Sequence, residues 1–107
     1  MIEIRADPNR IALYGHANYA EPGKDIVCAA VSALVYTLQE SIEKLTDDTV
    51  GFSFFDYATV IEFRELTPTA KALIESFIVG CSLIAGSYPD NVVLYYNDSF
   101  YFLGGRL

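Results

Sequence analysis

Residues 10–45, "RIALYGHANYAEPGKDIVCAAVSALVYTLQESIEKL", change periodicity twice, and those changes decide the fold. "RIALYGH" alternates Ile11 and Leu13 against Ala12 and Tyr14, the two-residue period of a strand, with His16 at its exit. Ala17, Asn18, Tyr19, Ala20, Glu21, Pro22, Gly23 and Lys24 follow with a Pro-Gly pair and no usable periodicity, so they are expected to form a surface loop. From Asp25, a good N-cap, about twenty residues run without Gly or Pro and read as a helix. Its second half is amphipathic, whereas its first half is apolar nearly all round. The first half is therefore expected to be buried on more than one side.

Outward from this segment, "MIEIRA" before "DPN" reads as a first strand and a turn. "TVGFSFFDYATVIEFREL" carries two β-rich segments around "DYA", a hairpin of roughly residues 49–56 and 59–65. "TPTAKALIESFIVGCSLIAG" predicts a second helix with Thr67 as N-cap, Pro68 at its first position and an end at Gly86. "NVVLYY" and "SFYFLGG" close the chain as one or two short strands. The order β-β-α-β-β-α-β(-β) does not alternate strictly. It favours an α+β class, a mainly antiparallel or mixed sheet packed with two long helices, over a doubly wound parallel fold.

The chain of 107 residues fits one domain, residues 1–107, able to bury a core without cross-links. Half of it is hydrophobic, and fifteen Tyr and Phe exclude a disordered tail. Most of these aromatics fall on strands and read as core or interface, not as a base-stacking platform. A formal net charge of -7 argues against direct binding to nucleic acid or an anionic membrane and favours a basic partner. "MIEIRADPNR" puts charges where a secretory leader needs an apolar run, so a cytoplasmic protein is expected. "FIVGCSLIAG", residues 77–86, is about half the length of a membrane span and reads as a core helix. In a reducing compartment Cys28 and Cys81 are expected as free thiols.

The chemistry gathers between His16, the single histidine, and Cys28, twelve positions later. With Asp25 as N-cap, Cys28 lies in the first helical turn, where unpaired N–H groups and the positive end of the helix favour a thiolate and could hold a developing oxyanion. Asp25, Cys28, Ser32, Tyr36 and Gln39 recur at intervals of three or four and form a polar stripe. Imidazole within reach of a thiol can take its proton and later deliver one to the leaving amine. Taken singly, these residues have blander uses. A cysteine among small helical residues is most often packing, Asp25 a cap, and Ser32 a bond back to the Cys28 carbonyl. Cys81, in an apolar helix without a polar stripe, reads as core. One histidine and no C-x-x-C leave no ordinary zinc site, and no glycine-rich loop of phosphate-cradling pattern opens a helix. Neither cysteine is closely followed by the arginine of a thiol phosphatase loop. No metal or cofactor is expected.

"GHANYAEPGKDIVCAAVSAL", residues 15–34, resembles the signature of the ribosomal-processing cysteine protease Prp family, small bacterial proteins with G-H-A, a loop, then G-x-D-I-V-C-A-A-V-S. The match is dense over this run, and a looser likeness of length and element order covers the chain. The resemblance implies a cysteine endopeptidase that removes a short N-terminal extension, after an aromatic residue, from a large-subunit ribosomal protein. It implies Cys28 as nucleophile and His16 as general base, with Gly15, Asp25 and Ser32 as supports. Gly15 would allow close backbone approach, Asp25 would cap, and Ser32 would serve first-turn hydrogen bonding. It further implies a homodimer and a mobile loop, here Ala17 to Lys24. A dyad is expected, since no third triad member is evident and Asp25 is a weak orienter for His16. Two other classes fit the residues: a non-catalytic module that binds ribosomes or a ribosomal protein, and a redox-sensing thiol protein using Cys28 with or without Cys81.

Overall fold

A computed structural model describes residues 1–96. The chain begins with a hairpin of β1 (Ile2–Asp7) and β2 (Arg10–Tyr14), closed by Pro8 and Asn9, with Ile4 opposite Leu13 and Ala6 opposite Ile11. Helix α1 (Ile26–Leu45) leads to a second hairpin, β3 (Gly51–Phe54) and β4 (Ala58–Glu62). Helix α2 (Pro68–Ser87) then delivers β5 (Val92–Tyr96). The sheet order is β3-β4-β2-β1-β5, with β5 parallel to β1 and every other pairing antiparallel. The mixed α+β sheet expected from element order is the observed one. The further strand expected at "SFYFLGG" lies outside the described residues.

Register puts one apolar layer on the helical side. Ile11 pairs across to Ala6 and Ile61, and Ile4 to Leu13 and Leu94. Residues directly opposite in a sheet share a face, so these side chains meet. Together with Val27, Val31, Val35, Leu38 and Ile42 of α1 and Ile74, Phe77, Ile78 and Cys81 of α2 they form one buried cluster, with Leu94 half-buried against it. Each fully buried Ile contributes about 1.5–3 kcal/mol relative to exposure. The opposite face carries Glu3, Arg5 and Glu62. There Arg5 Nε donates to Glu3 at 2.7 Å, and its guanidinium lies 4.7 Å from the Tyr95 ring centroid.

Helix α1 is buried on one side only, contrary to the expectation for its first half. Val27, Val31 and Val35 face the core, whereas Ile26, Ala29, Ser32 and Ala33 are exposed. The layer of sheet and α2 reaches α1 from one side; Ala29, Ser32 and Ala33 expose little apolar area on the other, where Ile26 is the large apolar side chain left facing water. Ala12 is buried although it points to the opposite face of the sheet, because Arg5 and Val60 flank it on the neighbouring strands. Strands β3 and β4 are shorter than the periodicity suggests. Helix α2 runs one residue beyond Gly86; Tyr88 N–H closes it on the Ile84 carbonyl, and Pro89 bars a further turn. At its other end Thr67 Oγ1 accepts from Ala70 N–H, while its own hydroxyl and N–H donate to Asp48 at 2.6 and 2.8 Å.

Both helices have the length and composition of a membrane span. Each lays its buried stripe into the core cluster described above.

Candidate active site

Strand β2 ends at Tyr14, and Gly15 then turns the chain with φ +84°, its N–H donating to the Tyr57 carbonyl at 2.9 Å. A Cβ at Gly15 would lie 2.5 Å from the Met1 carbonyl oxygen, so only glycine fits this approach. His16 follows and is exposed; Ala17 is buried and faces the start of α1.

Asp25 organises that start. Its Oδ1 accepts from the N–H groups of Val27 and Cys28, each at 3.0 Å. Its Oδ2 accepts from Tyr19 N–H at 2.9 Å and Ala20 N–H at 3.3 Å. The Cys28 amide is the largest of the influences that hold the Asp25 carboxyl below the ordinary carboxylate range, with the other three amides acting in the same sense. Both oxygens are thus committed to backbone donors, and orientation of His16 is not the work Asp25 performs in this geometry. Two of the first-turn N–H groups expected to hold an oxyanion have a partner in this structure. Val27 and Cys28, the N2 and N3 donors, are already taken by the cap.

Cys28 is half-buried, and its Sγ accepts from Ala17 N–H at 3.3 Å. Among the described residues no hydrogen bond joins it to His16. The two side chains nevertheless open on the same space. His16, Cys28 and Ser32 line both of two adjoining cavities, of about 190 and 490 Å³. Ser32 is exposed to them and, among the described residues, makes no bond back to the Cys28 carbonyl, so first-turn hydrogen bonding is not its role in this geometry.

The larger cavity is walled by the loop, including Asn18, Pro22 and Gly23. The loop's first half is held down. Asn91 Nδ2 donates to the Ala17 carbonyl at 3.0 Å, and Tyr19 meets Tyr88 edge to face with ring centroids 5.3 Å apart. Its second half, Glu21 to Lys24, is exposed around a turn in which Lys24 N–H donates to Glu21 O.

The smaller cavity is walled by Tyr36 of the α1 polar stripe and by Phe54, Phe55 and Tyr57, aromatics that the reading of strand aromatics as core or interface does not single out. Phe55 is 62% and Tyr57 72% exposed, and Tyr36 stacks on Phe54 at 5.7 Å. "FFDY" at a hairpin turn was the available signal, since the tip of a hairpin extends past the core it packs on. Cys81, by contrast, is fully buried, and burial pushes its thiol up to about 12. No cluster of His, Cys, Asp and Glu among the described residues could hold a metal ion.

A thiol and an imidazole that open on the same two cavities fit one class of protein, domains that carry out acyl transfer through a cysteine. Comparison with known proteins makes the class specific. The family model described as cysteine protease Prp matches residues 1–93, and the chain belongs to that family. The ribosomal processing cysteine protease Prp of Mycoplasma genitalium is 31% identical over 96 residues, covering 88% of this chain and 94% of the relative. That of Bacillus subtilis is 35% identical, covering 73% and 76%. In structure the chain is similar to the Staphylococcus aureus ribosomal processing protease Prp in complex with a covalently linked product peptide. The TM-score is 0.86 at 24% identity, over 91% of this chain and 100% of the other, and shows a shared fold.

Proposed function

We propose that this cysteine protease removes an N-terminal extension from a basic large-subunit ribosomal protein, with Cys28 as nucleophile and His16 as general base. The observation that carries the reading is the shared lining of both cavities by His16 and Cys28. An extended peptide crossing from one cavity to the other passes the thiol. Thiolate attack on the scissile carbonyl forms the acyl-enzyme, His16 protonates the departing amine, and water then releases the acyl fragment. The aromatic wall of Tyr36, Phe54, Phe55 and Tyr57 supports a cut after an aromatic residue. Gly15 and Asp25 support the site by holding His16 and the start of α1, and Ser32 lines its floor. The names of the relatives, and a Staphylococcus aureus Prp structure with a substrate peptide, support the substrate class.

The charge of -7 supports a cationic, protein substrate and no direct nucleic-acid contact. Cleavage of a whole precursor is expected to slow as the Debye length falls from about 10 Å at 0.1 M salt to about 3 Å at 1 M. A short neutral junction peptide is expected to show much less salt dependence. Mobility of the loop narrows to Glu21–Lys24, the part without ties to Asp25, Tyr88 or Asn91. The family resemblance supports a homodimer, tested by sedimentation equilibrium, and a cytoplasmic location. The deciding experiment incubates the host's precursor with this protein and with Cys28→Ala, followed by mass spectrometry. A shortened product in the first reaction alone upholds the proposal; no product, or equal product in both, ends it.

A further inference from the structure

Asn91 lies 63 positions from Cys28 in the chain and outside the cavity-lining residues, yet two hydrogen bonds connect them. Its side-chain Nδ2 donates to the Ala17 carbonyl at 3.0 Å, and the N–H of the same Ala17 donates to Cys28 Sγ at 3.3 Å. Asn91 is itself fixed from both sides: its N–H donates to the Tyr88 carbonyl at 2.9 Å, and its carbonyl accepts from Ile2 N–H at 2.8 Å. The turn after α2, the first residue of β1 and the loop leaving β2 are thereby tied at one point. Ala17 is 1% exposed, so water offers its peptide groups no ready alternative partners.

We infer that Asn91 is a positioning residue for the nucleophile, holding the His16–Ala17 segment so that the Ala17 N–H faces the Cys28 sulfur. An N–H donor held 3.3 Å from the sulfur fixes the direction of the Cys28 side chain relative to the cavities that His16 shares. The same tether sets the backbone of His16, one residue before. The inference rests on Cys28 being the nucleophile, and it adds a contact from the far end of the chain to the stretch that carries the family signature.

The test is Asn91→Asp, which keeps shape but cannot donate to the Ala17 carbonyl, beside Asn91→Gln, which keeps the amide. Cys28 alkylation by iodoacetamide is measured on the native protein, together with kcat and KM for the junction peptide and the unfolding midpoint. Asn91→Asp is expected to slow Cys28 alkylation and kcat together by roughly tenfold, about the worth of one positioning hydrogen bond, with KM little changed. Asn91→Gln is expected to recover part of both. A merely structural Asn91 would lower the midpoint and leave alkylation and kcat of the folded enzyme at wild-type values, and that result overturns the inference. If Asn91→Asp exposes Cys81 to reagent and so fails to fold, the comparison of Asn91→Gln and Asn91→Ser decides in the same way. Alkylation needs no turnover. A wild-type enzyme that cuts no precursor therefore refutes the proposed substrate, while the alkylation ratio still judges Asn91.

Discussion

Gly15→Ala and Gly23→Ala form a matched pair that separates backbone strain from crowding. Both glycines have φ +84°, a left-handed conformation that costs an L side chain about 1–2 kcal/mol. Either replacement also stiffens the unfolded chain, offsetting about 0.4–1 kcal/mol of that cost. They differ only in space. A Cβ at Gly23 meets nothing within 4 Å, whereas at Gly15 it lies 2.5 Å from the Met1 carbonyl oxygen. That oxygen cannot swing aside as a side chain would, since the next residue, Ile2, is bonded through its N–H to Asn91 O at 2.8 Å. Relief requires the start of β1 to shift against β5, and overpacking of this kind costs about 1–3 kcal/mol. Gly15→Ala is therefore expected to unfold below Gly23→Ala by about 4–8 °C for each kcal/mol, followed by circular dichroism at one pH and concentration. His16 is the next residue, so cleavage should fall further in Gly15→Ala than its folded fraction explains. Equal unfolding midpoints for the two variants would refute the crowding argument.

Iodoacetamide is expected to modify half-buried Cys28 in the native protein and to spare Cys81, whose thiol is pushed up to about 12; equal rates by mass spectrometry would contradict this. Cys28→Ala should abolish precursor cleavage in a protein that still folds, with a modestly lower unfolding midpoint because the buried Ala17 N–H loses its acceptor, and His16→Ala should lose most but not all of the cleavage, because a thiol retains some reactivity without its base. The Asp25 carboxyl is held low in the fold by the Cys28 amide first of all, and that of Asp48 by Thr67. Their stabilisation is present above the ordinary carboxylate range and is lost as pH falls through the folded values. Asp25→Asn and Asp48→Asn should each flatten the acid limb of the stability–pH profile, and a limb as steep as wild type in both would show that these hydrogen bonds do not contribute.

The elements were legible because their signals are local. Alternation in "MIEIRA" and "RIALYGH", the Asp25 and Thr67 caps and Pro68 at a first helical position act within a few residues, and the observed elements begin within a residue or two of the expected ones. The density of "GHANYAEPGKDIVCAAVSAL" likewise carried the family before any contact was known. What local pattern could not supply was partnership at long range. That β5 pairs parallel with β1, that α1 buries one side only, and that the "FFDY" turn stands over the start of α1 depend on which surfaces meet. So does the sharing of Asp25 between Val27 and Cys28 N–H on one side and Tyr19 and Ala20 N–H on the other, because a single carboxylate can serve both the helix start and the loop only once Tyr19 and Ala20 fold back beside it. Asn91 sets the limit most clearly: nothing in "PDNVV" marks it, and its contact with Ala17 across 74 residues exists only because α2 returns the chain to lay β5 along β1. Periodicity and capping are free-energy choices made within a turn or a strand, whereas the environment of a sulfur atom is set by whichever distant groups the finished core brings within 3–4 Å.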